Sequence, residues 1–339
     1  MKKLDFAIPF TGFSYLGFLS CFAAVHTYLS GQSGQTDYEC KKETEGKCDG
    51  CGNCRKTIGG IQEDWYFLFE TLSGVSSYQD NFDKTKTCPE EDAQTIDFCM
   101  KLAGYDYERV TDGFPEALAA SIDAGFPVIA MMKSGENGPV RVLIGYDDGQ
   151  VVMAEPVGTQ DPPPSSPTYD QIEAMLIIRK KTEPQVTLVD ALRNIERQMQ
   201  SNLDEGIWDD VADRFCYWRD NLSELPFEEL KARFERVKQL AWNFDNCHNF
   251  AEAFRHRVWE PLEDQRLDEC CKVIDRAYDD SHTRHWQLIA ICDCRDWSQR
   301  RYNELEWGMC EHVRTALAQL KKNDEDVLAA VRGMLDILQ

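Results

Sequence analysis

The sequence predicts an α+β domain followed by an all-α helical domain, with the boundary near Lys181–Thr187. Three observations carry this expectation. The chain has 339 residues, more than one hydrophobic core usually organises. Period-2 apolar segments bounded by turn residues are confined to the first half. From Leu188 onward apolar residues recur only at helical spacing. On this division residues 1–183 form the mixed domain, with a Cys-rich insertion at 31–60, and residues 184–339 form the helical one.

Taken in order, Leu19–Leu29 reads as a helix opened near Ser20-Cys21 and closed by Ser30-Gly31. Gly31–Gly60 is polar, rich in Cys and Gly, and shows no period. Glu63–Leu72 and Glu90–Leu102 have helical spacing, the second behind Pro89, a favoured first-turn residue. Tyr105–Val110 reads as a strand and Pro115–Ala124 as a helix stopped by Gly125. Pro127–Met132, Val140–Tyr146 and Val151–Ala154 are β-rich, and Asp147-Asp148-Gly149 turns the last two into a hairpin. The Pro- and Ser-rich stretch Asp161–Pro167 is a loop, and Met175–Arg179 a closing strand. In the second half Leu188, Leu192, Ile195 and Met199 mark a helix behind Thr187. Ile207–Leu222 and a segment opened by Pro226 repeat the pattern. Further helices are expected at Asn246–Val258, Leu262–Ala277, His282–Lys321 (continuous or broken) and Glu325–Leu338. Seven of the eight tryptophans fall in this half, where large rings fill cores.

Charge narrows the function classes. With 37 basic and 59 acidic side chains the net charge is −22, and neither half has a basic face. That argues against nucleic acid and anionic membranes as partners. No run approaches the roughly 20 apolar residues of a membrane span. Lys2 and Lys3 precede an apolar stretch, but Asp5, Pro9, Thr11 and Ser14 interrupt any export signal. Several of the fourteen cysteines sit at helical core positions, as small hydrophobes do. A cytoplasmic location is therefore expected.

Cys21 near the start of the first helix is the candidate nucleophile, because backbone N–H groups and the helix dipole favour a thiolate there. It is followed by a helical middle, Pro127-Val128, and the segment Val140-Arg141-Val142-Leu143-Ile144-Gly145-Tyr146-Asp147-Asp148-Gly149, then Ala154-Glu155-Pro156. Over residues 5–180 this order resembles papain-like cysteine proteinases, in particular the branch of C39-type leader peptidases and the butirosin-biosynthesis protein H-like proteins. The Gly-Tyr-Asp-Asp-Gly hairpin with its trailing acid-Pro is the most specific part. The resemblance implies a papain-like fold and a Cys-His-Asp triad. Cys21 would then be the nucleophile that takes an acyl group from a thioester or amide, and Glu155 the orienting acid. One member departs from the pattern. The histidine position is occupied by Pro139 or Val140, and no histidine lies between His26 and His248. His26 stands about 140° around and roughly 7.5 Å along the helix from Cys21, poorly placed as a base. His248, His282 or His285 remain as bases supplied by the helical half. Arg141 is the fixed positive charge nearest Cys21 if its side chain turns toward that helix.

Cys48, Cys51 and Cys54, at two-residue gaps among glycines, can wrap a tetrahedral metal with Cys40 or Cys88 as fourth ligand. Zinc is preferred over an iron–sulfur cluster, although the run resembles a bacterial ferredoxin half-site. Cys247-His248, Cys270-Cys271, His282/His285, Cys292/Cys294 and Cys310/His312 look like ligand pairs. On helices they read better as core cysteines and surface histidines. The expected function is that of a papain-like-fold protein of the acyltransferase and peptidase group, degenerate for lack of the histidine. The alternative is a non-catalytic protein that binds a small molecule, an acyl donor or a peptide.

Overall fold

The computed structural model describes residues 1–6, 17–31, 38–39, 55–56, 58–77, 92–133, 140–147, 149–154, 167–220, 227–242, 247–292 and 307–339. The chain divides into two compact units, Met1–Phe69 with Glu90–Thr187, and Glu70–Pro89 with Leu188–Gln339. The division is thus not a single cut, because 70–89 groups with the helical residues.

The first unit is built on a six-stranded antiparallel sheet. Its strands are β1 (Lys2–Lys3), β4 (Tyr105–Val110), β5 (Val128–Met132), β6 (Val140–Asp147), β7 (Gln150–Met153) and β8 (Ile172–Lys181), in the order β1-β6-β5-β8-β4 with β7 on β6. A separate ladder pairs β2 (Tyr38–Glu39) with β3 (Arg55–Lys56). The α-helices of this unit are α1 (Phe18–Leu29), α2 (Ile58–Leu72, whose last three residues group with the second unit), α3 (Ala93–Leu102) and α4 (Phe114–Asp123). β8 is longer than the predicted 175–179 because it pairs with β4 on one side and β5 on the other. Residues of β5 are buried on both faces, as a sheet covered on both sides requires. Val128, Ala130, Met132, Leu143, Met175 and Ile177 pack with Leu118 and Ile122 of α4 on one face. Helix α1 packs against β5 and β6 on the other, the side of Ile129, Val140 and Val142.

The N-terminal strand was not expected. Lys2 pairs with Tyr146 and Lys3 with Gly145, while Val128 of β5 pairs with Leu143. β1 and β5 therefore lie end to end along one edge of β6, with β7 on the other edge. Gly145 permits this: a Cβ there would lie 2.4 Å from the Lys2 carbonyl oxygen. Gly149, at φ +83°, closes the β6–β7 hairpin, whose last pair is Asp147 with Gln150.

The second unit holds α5 (Leu188–Asp204), α6 (Ile207–Asp220), α7 (Phe227–Trp242), α8 (Cys247–Phe254), α9 (Asp268–Cys292) and α10 (Trp307–Leu338). α8 runs into a π-helical turn at Arg255–Trp259. α5 and α6 pack on α10, and α7 and α8 on α9. Two predicted helix breaks do not exist: α9 continues through 278–281 and α10 through 322–324. Their polar residues, read from the sequence as breaks, bond to each other. Asn323 donates Nδ2 to Asp280 Oδ2 at 3.0 Å and to Ser281 Oγ at 2.9 Å. Both helices carry a 4,3 repeat. Cys271, Ile274, Tyr278, Ser281, His285 and Leu288 line one, and Val313, Leu317, Leu320, Asp324, Val327, Val331 and Met334 the other. The Asn323–Ser281 bond and the approach of Gly333 to Cys270 make the pair antiparallel. Among the described residues every strand precedes Thr182, and no helix is long and apolar enough to cross a membrane.

Candidate functional site

Helix α1 begins at Phe18 behind Gly17, whose carbonyl already accepts the Cys21 amide at 3.2 Å. Cys21 is therefore the fourth helical residue, not the opening one. The unsatisfied N–H groups of the helix start precede it. Every residue from Phe18 to Thr27 is buried, and Cys21 is 0% exposed. A helix apolar on all sides is a core helix, and a thiol within it packs as a small hydrophobe. A nucleophile needs a path for its substrate, and complete burial provides none.

The strand facing α1 offers no base. Val140, one of the two positions where the resemblance would place an imidazole, opens β6 and is fully buried on the α1 side. Pro139 lies outside the described residues, as does Glu155. The condition under which Arg141 would be the charge nearest Cys21 is not met by the register. Arg141 pairs with Ala130 and shares the α4 face with Leu143, so alternation turns it away from α1. It is 6% exposed and donates Nη1 to the Val140 carbonyl at 2.9 Å.

His26 is committed elsewhere. Its Nδ1 lies 2.8 Å from Tyr105 Oη of β4, and its Nε2 lies 3.4 Å from Ser30 Oγ. Burial pushes the Tyr105 phenol well above its usual range, against the opposing hydrogen bond from Ser30, so it stays protonated at neutral pH. Rings of Trp65 (centroids 4.3 Å apart), Phe69 and Phe22 enclose the imidazole. Such a box orients and dries a histidine. The 79-residue separation of His26 and Tyr105 leaves no sequence signal for the pair.

Among the six histidines, His285 is buried at 2% exposure and belongs to the α9 seam, which corrects its reading as a surface residue. His282 is half-buried and His312 exposed, while the side chains of Cys247, His248, Cys292 and Cys310 lie outside the described set. Burial pushes Cys271 up to about 12 and raises Cys270 as well, so neither is a nucleophile near neutral pH.

The predicted metal ligands Cys40, Cys48, Cys51 and Cys54, and the alternative Cys88, also lie outside the described residues. What is described is the ladder on either side. β2 ends one residue before Cys40 and β3 begins one residue after Cys54, in register Tyr38–Lys56 and Glu39–Arg55. Among the described residues no group of three His, Cys, Asp or Glu side chains is arranged to hold a metal ion. No protein-family model, curated protein or solved structure matches the chain.

Proposed function

We propose that the first unit is a papain-like domain that no longer uses its cysteine, and that it binds a peptide or small-molecule ligand without transforming it. The observation that carries this reading is the complete burial of Cys21, with an aliphatic residue, Val140, at one of the two positions, Pro139 or Val140, where the resemblance would put the general base. An imidazole that takes a thiol proton must lie within hydrogen-bond reach of it. His26 is instead boxed against Tyr105. The antiparallel sheet, the packing of α1 on β5 and β6, and the β6–β7 hairpin support kinship with the papain-like group. The test is a trapping experiment. Full-length protein is incubated with an activated thioester and an activated amide donor, and intact mass is followed by peptide mapping. No adduct on Cys21 is expected. A stoichiometric adduct that disappears in Cys21→Ala would restore the acyl-transfer reading, with its base sought at His248, His282 or His285.

A second proposal concerns the Cys-rich insertion, which we read as a zinc loop. The β2–β3 ladder supports it, because antiparallel pairing holds Glu39 and Arg55, the residues that flank 40–54, roughly 5 Å apart. A short loop that wraps one tetrahedral ion needs ends that close. Elemental analysis of protein purified without chelator should find about one zinc equivalent, lost in Cys51→Ser/Cys54→Ser.

A further inference from the structure

We draw no further inference here: the strongest candidate, the Ser30–His26–Tyr105 side-chain cluster at the C-terminal end of α1, carries none, because the Ser30 and Gly31 amides are already bonded to the His26 and Tyr28 carbonyls and neither is left to stabilise a developing oxyanion.

Discussion

The sheet of the first unit and the α9–α10 seam of the second are buried with different chemistry. β5, β6 and β8 bury apolar side chains on both faces, with Arg141 the charged exception among their buried residues. The seam instead places Ser281, His285 and Asp324 within an apolar repeat; Asn323, next to Asp324, bonds Ser281 and Asp280 across it, and Asp324 accepts from Trp208 of α6. An apolar core draws its stability from area removed from water and tolerates any well-packed hydrophobe. A buried polar layer adds less net stability, because each bond replaces one to water, but it penalises every register in which its partners are lost. The first unit is thus held by packing and the second is aligned by hydrogen bonds.

The strongest attempt to break this contrast is Leu143→Ala in the sheet. Leu143 is fully buried between β5 and β7 against α4, and its truncation should cost about 3 kcal/mol in urea unfolding. A loss below 1 kcal/mol would mean that the sheet core is not close-packed. Next comes Gly145→Ala. The new methyl meets the Lys2 carbonyl, and the expected cost is about 2 kcal/mol. Hydrogen exchange at the Leu4 amide, bonded to the Ile144 carbonyl at 2.8 Å, should rise with it. Unaltered Leu4 protection would show that β1 does not depend on the glycine.

These elements also show what the sequence makes legible. Alternation and turn chemistry are local, so β4, β5 and the β6–β7 hairpin are readable from a few residues each. β1 is not, because two lysines carry no strand signal and the strand exists only where Gly145 lets it approach. In the seam, Asp279-Asp280-Ser281 and Lys322-Asn323-Asp324 look like breaks until each is seen as the other's partner. The 4,3 spacing through them was the available signal. At the candidate site the position of Cys21 in the chain was readable, but its burial depends on α1 being covered by a sheet from far along the sequence. Residue type alone cannot separate a packed thiol from a reactive one.

A smaller effect sharpens the second half of the contrast. Asn323→Ala removes the donor that joins Asp280 to Ser281, and should cost about 1.5 kcal/mol while broadening the resonances of the α9–α10 pair. Stability lost without broadening would favour simple packing over register control. At the bottom of the scale, Lys272→Ala removes an exposed i,i+3 pair with Glu269 and should leave the unfolding midpoint unchanged.

The central claim, that Cys21 belongs to the core, is tested most directly by its alkylation rate in the native protein. Iodoacetamide labelling is followed by peptide mass spectrometry, with urea-unfolded protein as reference. The structure predicts that native Cys21 reacts at least about a thousandfold more slowly than in urea, through rare opening of the unit. Stoichiometric labelling of native Cys21 at the rate of an exposed thiol would contradict it.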